Sequence, residues 1–468
     1  MKTDFNSNAM KIKNNYFDGL KVTRKHLLLF ILVASSYFFE VFDNAIFGYT
    51  APALMATMNI DTSALARIAS LYYLGNTIGG IFGGILSDII GRRKTILIST
   101  ILFSSGTLID AVTSNITVFT IGRTLTGFGV MSMLVVTITY MAELSPKESR
   151  GKWEGIISGI GYIAVPLVGI ICQLILPLHP EAWRYIYYLG SLGLVAFFIS
   201  IFVLKESPRW LMSRGRVTEA EAVVSGLTGV PIDLSEVNIV IQEKEKASNV
   251  ISEMFSPMYI KRTIVLLICL SCGVVSLQIV APWITTLLKM SGFGMKESLL
   301  LSTIFSCGIP LGMFVAGYFS DKGGRKLPIV AFGFLYAIVV ILMAYLIGNF
   351  WLIAVFGVLM NVFAVARNFI IHPYVAESYP TKIRNSVTGL LNGVSRFASA
   401  GAQLVVPMLF AGYGLGGVFG FVAALSVFGS LVVLIFGWRS AHVSLEDINE
   451  NFAKEGTGSG SGSAGMKA

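Results

Sequence analysis

The chain of 468 residues is 54% hydrophobic and 13% charged. Soluble domains carry roughly 25% charged residues, so this composition excludes a soluble protein and indicates one whose solvent is lipid. The net charge of +9 arises from lysine and arginine in the joints between apolar runs, and it requires no nucleic-acid partner.

Apolar runs occur twelve times along the chain, and each is close to or above the roughly 20 residues that a membrane-spanning helix needs. The runs cover residues 27–54, 64–89, 95–114, 117–142, 153–176, 185–204, 263–288, 297–319, 327–347, 350–376, 385–411 and 415–438. The sequence therefore predicts an all-α membrane protein with twelve transmembrane helices. The four cysteines all fall inside these runs, so we predict no disulfide framework and no metal site.

Positive charge in the joints predicts the orientation. Of the 35 lysines and arginines, 28 lie in the two tails, the central loop and the joints after spans 2, 4, 8 and 10. Cytoplasmic loops collect such charge, so both termini are expected in the cytoplasm. The predicted domains are a tail (1–26), a six-helix bundle (27–204), a cytoplasmic linker (205–262), a second bundle (263–438) and a tail with a flexible Gly/Ser segment (439–468).

The first span carries two acidic side chains at a depth where a bilayer disfavours charge. Glu40 and Asp43 lie one helical turn apart, with Ser36, Asn44 and Phe47 on the same predicted face. Ionising two neighbouring carboxylates is costly at low dielectric constant, so at least one is expected to hold a proton near neutral pH. This arrangement predicts a proton-coupling site.

A turn between spans 2 and 3 recurs between spans 8 and 9. The first copy contains Asp88, Gly91 and Arg92. The second contains the same residue types 233 positions later, namely Asp321, Gly324 and Arg325. Each aspartate ends a helix near the membrane surface, and the Gly-Arg turn places a cation on the cytoplasmic side. We predict gating and structural roles for these residues rather than substrate contact.

A second repeat lies at the ends of spans 4 and 10. Glu143 and Arg150 correspond to Glu377 and Arg384 at an offset of 234. We predict that these residues form charge relays on the inner surface. Together the two repeats indicate a six-helix unit used twice in the same orientation.

The doubled turn resembles the signature of the major facilitator superfamily, and this resemblance covers about residues 30–440. The segment Lys205–Met212 is similar to the motif after helix 6 of sugar porters, organic ion transporters and metabolite symporters. The resemblance implies the major facilitator fold, in which two six-helix bundles rock around a midplane site. Proton-coupled sugar porters pair an acid of helix 1 with an arginine of helix 4, which implies that Arg123 is the counter-charge of the acids in the first span.

Polar side chains inside the other spans are candidates for substrate binding, because they are costly unless they face a cavity or a partner. Arg396 and Arg367 supply guanidinium groups suited to a substrate carboxylate. A structural ion pair is an equal alternative for Arg367. The uncharged candidates are Asn44, Tyr73, Gln278, Trp283, Asn368 and Asn392.

These features predict a proton-coupled symporter, not an enzyme, that moves a small organic anion by alternating access. Nicotinate-like, aromatic and sugar-acid carboxylates are the expected substrates. A proton-driven exporter of organic cations, uptake of a neutral solute as in sugar porters, and a non-transporting sensor are the alternatives. We expect a monomer in a plasma membrane of the bacterial inner-membrane kind, with protons and a small molecule as its partners and without a cofactor.

Overall fold

The computed structural model describes residues 10–11, 23–145, 150–234, 252–320, 324–346 and 348–440. The first half consists of α1 (Arg24–Thr57), α2 (Thr62–Ile90), α3 (Arg92–Val112), α4 (Ile116–Leu144), α5 (Arg150–Ile175), α6 (Trp183–Gly190) and α7 (Gly193–Val203). The second half consists of α10 (Ile260–Met290), α11 (Met295–Ser306), α12 (Gly308–Phe319), α13 (Lys326–Tyr345), α14 (Phe350–Glu377), α15 (Thr381–Gln403) and α16 (Val405–Phe436).

Helices occupy all twelve predicted spans, and some of these helices are interrupted. The sixth span is α6 followed by α7, with a break at residues 191–192, and the eighth is α11 followed by α12, with a break at Cys307. The helix predicted over 385–411 ends at Gln403 and restarts in α16, where Gly414 has a φ of +60° and interrupts the helical backbone. By length and composition, ten spans within the described residues are apolar enough to cross a membrane. The other two are α2 and α15.

Small residues allow the same close helix pairing in both halves. Gly75 and Gly79 of α2 lie so close to α4 that a Cβ at either would overlap its backbone. Gly308 and Gly312 of α12 pack in the same way on α14. The two pairs are separated by the 233-residue offset found in the sequence, so the repeat extends to the helix contacts inside the membrane.

The chain between the halves folds against one end of the helices, which we call the terminal face because α1 begins there. Helices α8 (Pro208–Ser213) and α9 (Val217–Thr228) lie on it, and Thr23 donates a hydrogen bond to the carbonyl oxygen of Leu227 at 2.5 Å. Strand β1 (Met10–Lys11) pairs in parallel with β2 (Ile232–Asp233). The N-terminal segment is thereby joined to the central linker.

Candidate functional site

A cavity of about 380 Å³ lies between the two halves. The first half contributes α1, α2, α4 and α5 to its wall, and the second contributes α10, α11, α12, α14 and α15. Seven of the residues predicted to bind protons or substrate line it: Glu40, Asn44, Tyr73, Gln278, Asn368, Asn392 and Arg396. The lining also includes Tyr37, Asn76, Tyr162, Asn361 and His372. The largely apolar wall of the cavity therefore also presents amide and phenol groups, one acid and one arginine.

Glu40 and Arg396 bring opposite charges to this cavity from opposite halves. Glu40 is only 4% exposed, and its Oε2 accepts no hydrogen bond from any residue that the structure describes. Arg396 lines the same cavity without an ion pair or hydrogen bond to Glu40, and its buried Nε has no acceptor within the same residues. Buried charged groups left with unsatisfied atoms are costly. The site therefore has hydrogen-bonding capacity available for a ligand at this point.

Asp43 points away from the cavity, into the interior of the first half. Arg123 of α4 approaches its carboxylate, with 3.2 Å from Nη1 to Oδ2, and Thr107 donates a hydrogen bond to Oδ1 at 2.5 Å. The guanidinium also lies 4.7 Å from the ring centroid of Tyr72. The predicted counter-charge is thus present, and the two acids of α1 have separate partners.

Asp110 of α3 is a third acid in this region, which the sequence interpretation did not single out. It is fully buried, and its Oδ2 lies 3.9 Å from Nη1 of Arg123. Neither carboxylate oxygen has a hydrogen-bond partner among the described residues. The sequence could have indicated Asp110 as a candidate, because it is a carboxylate inside a predicted span, as are Glu40 and Asp43. Two carboxylates therefore share one guanidinium at the centre of the first half.

Hydrogen bonds hold several of the uncharged lining groups in place. Tyr72 donates to Oδ1 of Asn44 at 3.1 Å, and the hydroxyl of Tyr73 donates to Oε1 of Gln278 at 3.1 Å. Asn368 donates to the carbonyl oxygen of Gly273 at 3.2 Å. These contacts restrict the side chains that surround Glu40 and Arg396.

Two predicted substrate ligands lie outside the lining of this cavity. Arg367 is buried within the second half and donates from Nη1 to Ser426 at 2.9 Å, with no carboxylate paired to it in the described ranges. Trp283 is also buried, and its indole donates to Oε1 of Gln403 at 2.8 Å. The structure therefore does not bring these two side chains to Glu40 and Arg396.

The halves are joined on the side of the cavity away from the terminal face. Tyr49 donates to the carbonyl oxygen of Ser302 at 3.2 Å, and Gln173 donates to Thr303 at 2.8 Å. A Cβ at Gly48 would lie 2.8 Å from the carbonyl oxygen of Ala281. These contacts close the halves together at that end. Other lining residues, including His372, lie nearer the terminal face.

The repeated turns form matching ion pairs on the terminal face. Arg92 binds both carboxylate oxygens of Glu143 at 3.0 Å, and Arg325 binds both oxygens of Glu377 at 2.7 Å. Asp88 lies 3.3 Å from Arg92.

The turn glycines and Arg384 are further members of the repeats. Gly91 and Gly324 have positive φ angles of 101° and 68°. Arg384 donates to the carbonyl oxygen of Tyr379 at 3.3 Å. Asp321 lies outside the described residues, as does the side chain of Arg150. Each glutamate is therefore paired with the arginine of the neighbouring turn.

Across the described ranges, no group of three or more His, Cys, Asp or Glu side chains is arranged to hold a metal ion.

Comparisons with known proteins agree with this architecture. The sequence profile of the family "Sugar (and other) transporter" matches residues 29–452. YyaJ of Bacillus subtilis, whose name describes a metabolite transport protein, is 30% identical over 429 residues, covering 90% of this chain and 94% of the relative. The niacin transporter NiaP of Acinetobacter baylyi is 24% identical, covering 92% of this chain and 98% of that protein.

A solved structure shares the fold. The xylose transporter XylE from E. coli, in an inward open conformation, superposes with a TM-score of 0.72 at 19% identity, covering 91% of this chain and 99% of that one. The proteins named here are transporters rather than enzymes.

Proposed function

Because the chain belongs to the sugar (and other) transporter family, within the major facilitator superfamily, we propose that it couples proton entry to the uptake of a small organic anion. The observation that carries this proposal is that Glu40 and Arg396 line the cavity between the halves from opposite sides. Each side chain has an unsatisfied polar atom among the described residues, and the two come from bundles that move relative to each other in this fold.

Arg396 is the proposed receptor for the substrate carboxylate. A guanidinium offers a fork of N–H donors that matches a carboxylate in geometry and charge. Ionised Glu40 competes with the substrate for this cation, whereas protonated Glu40 does not. Binding of a proton and binding of the anion therefore favour each other, which is the requirement for symport.

The buried group of Asp43, Arg123 and Asp110 is the proposed second proton store. If all three groups are ionised, they carry one net negative charge in a dry interior, and adding one proton makes the group neutral. Arg123 lies nearer to Asp43, at 3.2 Å, than to Asp110, at 3.9 Å. We assign the proton to Asp110, because its oxygens accept no hydrogen bond from the residues described.

The conformation fits one stage of an alternating-access cycle. If the terminal face is cytoplasmic, as the loop charges predict, the contacts of Tyr49 and Gln173 close the outer side. The ion pairs of Arg92 and Arg325 hold the helix ends on the inner side of each half. In this reading, rocking of the halves breaks the outer hydrogen bonds and preserves the ion pairs within each half.

The substrate class follows from the charge of the cavity and its size. A cavity of about 380 Å³ accommodates a molecule with one ring or a short chain. Niacin, for which the relative NiaP is named, is a pyridine carboxylate of this size. We favour small carboxylates of this kind over organic cations, because a cation would face Arg396.

Uptake by purified protein in liposomes tests the proposal. The assay compares nicotinate with its neutral amide, nicotinamide, together with other aromatic and sugar-acid carboxylates, under an imposed inward proton gradient. Acid-stimulated accumulation of at least one carboxylate, without accumulation of its amide, is the expected result. If no anion accumulates under the gradient, the symport proposal is wrong.

Uptake of a neutral polyol is the second candidate. The amide and phenol groups of the cavity, including Gln278, Asn361 and Asn368, suit hydroxyl groups as well as a carboxylate. Including xylose in the same assay separates the candidates. Gradient-driven accumulation of xylose that Arg396→Gln leaves intact would favour the neutral solute.

A further inference from the structure

A second cavity lies on the terminal face, apart from the transport site. It has a volume of about 800 Å³ and is enclosed by α1, α3, the end of α7, α8 and α9. Leu29, Leu204 and Leu211 are buried in its wall. The proposed transport cycle uses neither the lysines nor the apolar wall of this cavity, so its composition calls for a separate explanation.

Basic side chains surround this cavity. Lys25, Lys94 and Lys205 all line it and are exposed. Their ammonium groups form no ion pair with any carboxylate in the part of the chain described. Lysines without a counter-ion at one site make a local positive potential that attracts anions.

The two carboxylates of the cavity are already engaged. Glu206 accepts hydrogen bonds from the backbone N–H groups of Arg92 and Arg93, at 2.8 and 3.1 Å. Glu219 pairs with Arg216 at 2.6 Å. The buried Nε of Arg93 has no acceptor among the described residues. Positive charge therefore exceeds negative charge, and at least one buried donor is available.

Beside these cations the surface is apolar, as suits contact with lipid. Phe202 of α7 is 80% exposed and Leu28 of α1 is 56% exposed, and both line the cavity. One turn deeper along the same two helices, Ile31 and Ile199 are also exposed. A ligand at this place would meet ammonium groups at the level of the headgroups and apolar side chains at the level of the acyl chains.

From this combination we infer that the cavity binds an anionic phospholipid of the leaflet on the terminal face. The phosphate lies between Lys94, Lys205 and Lys25, and the acyl chains follow Leu28 and Phe202. A free phosphate carries negative charge like the headgroup, but it has no acyl chains to contact the apolar wall. The bound lipid would join α1 and α3 to the linker helices α8 and α9.

Native mass spectrometry of the full chain, titrated in detergent, tests this site. The probes are dioleoyl phosphatidylglycerol, dioleoyl phosphatidylcholine and inorganic phosphate. We expect one tightly retained phosphatidylglycerol. Because one lysine near a membrane surface changes the affinity for anionic lipid about fivefold, Lys94→Gln with Lys205→Gln should weaken this binding by about 25-fold. Binding of phosphatidylcholine should not change.

The matched control removes two exposed lysines from the opposite end of the second half. Lys289→Gln with Lys296→Gln changes the net charge by the same amount, and its phosphatidylglycerol affinity should stay within about twofold of the parent. Equal weakening in the two double variants would overturn the site. Phosphatidylcholine binding as tightly as phosphatidylglycerol, or inorganic phosphate displacing the lipid at equal concentration, would overturn the anionic-lipid assignment.

A single substitution keeps the test decisive if the double variant does not fold. The Lys205 side chain is exposed and makes no hydrogen bond within the described chain, so Lys205→Gln leaves the packing intact. It should lower phosphatidylglycerol affinity about fivefold, and an unchanged affinity would contradict the proposal.

Discussion

The two six-helix halves carry the same ion pair at the terminal face and different charges at the membrane centre. Arg92–Glu143 in the first half corresponds to Arg325–Glu377 in the second. The first half also buries Arg123 between Asp43 and Asp110, whereas Arg367, a buried arginine of the second half, has no paired carboxylate in the described ranges. The repeated unit thus supplies the scaffold, and the chemistry has diverged between its two copies.

This asymmetry assigns different tasks to the halves. On the proposed account, the first half binds the proton through Glu40 and the buried group around Arg123. The second half binds the anion through Arg396. Because Glu40 and Arg396 line one cavity from opposite halves, motion of one half against the other couples proton and anion binding. The following predictions test whether the halves differ as proposed.

The largest difference is expected between Arg123 and Arg367, buried arginines of opposite halves. Arg123→Met leaves Asp43 and Asp110 without their cation, which should destabilise the protein by about 3–5 kcal/mol and abolish uptake. Arg367→Met removes a cation that is not paired to an acid within the described residues, so it should change stability by less than about 1 kcal/mol. Thermal unfolding in the same detergent measures the stability of both variants. Equal destabilisation would remove the proposed asymmetry.

The next effect concerns recognition of the anion. Arg396→Gln should weaken carboxylate binding about 30-fold, because it removes a charge-assisted hydrogen bond inside the cavity. Arg367→Gln is the matched control and should leave affinity unchanged, since Arg367 does not line the cavity. Equilibrium binding of radiolabelled substrate to the purified variants provides the measurement. Undiminished affinity in Arg396→Gln would exclude this side chain as the anion receptor.

A smaller effect on transport is expected at Asp110, the acid that the sequence interpretation did not single out. Asp110→Asn keeps the shape of the side chain and removes its proton-binding capacity. Gradient-driven accumulation of substrate should fall about fivefold, while exchange of external for internal substrate without a gradient should continue. Asp61→Asn, at the start of α2 outside the buried group, serves as control. Accumulation equal to the parent would show that Asp110 stores no transported proton.

The smallest difference, about 1 kcal/mol, is expected between the two Gly-Arg turns. A Cβ at Gly91, with φ of +101°, would collide with the carboxylate of Glu206, whereas Gly324 has a φ of +68° and its Cβ would meet Arg439 at 2.7 Å. Gly91→Ala should therefore cost about 2–3 kcal/mol and Gly324→Ala about 1–2 kcal/mol. Gly215→Ala, with φ of +71° and open space around it, gives the cost of the backbone alone. The order of the three unfolding temperatures checks this prediction.

The fold could be predicted from the sequence, because a bilayer constrains the length and composition of the helices that span it. The lengths of the apolar runs predict the transmembrane spans, and the repeated turns predict the six-helix unit. The helix breaks at Cys307 and Gly414 were harder to predict from the sequence, because neighbouring helices compensate for locally broken backbone hydrogen bonds.

The site could be predicted only in part, because the sequence of an apolar helix does not show which of its faces points into the cavity. Asn361 and Asn368 of α14 line the cavity, but Arg367 is displaced from Asn368 by about 100° around the helix and faces the interior of its own half. Asp43 is similarly displaced by about 60° from Glu40. The partners of each side chain therefore depended on tertiary packing that no sequence pattern specified.

The most direct test of the account is the movement of protons when substrate is added. Liposomes containing the parent protein and a trapped pH-sensitive dye are held without an imposed gradient, and a transported carboxylate is then added outside. The account predicts internal acidification in proportion to the substrate taken up, and its loss in Glu40→Gln with Asp110→Asn. Carboxylate uptake with no internal acidification, or acidification that the double variant leaves unchanged, would contradict it.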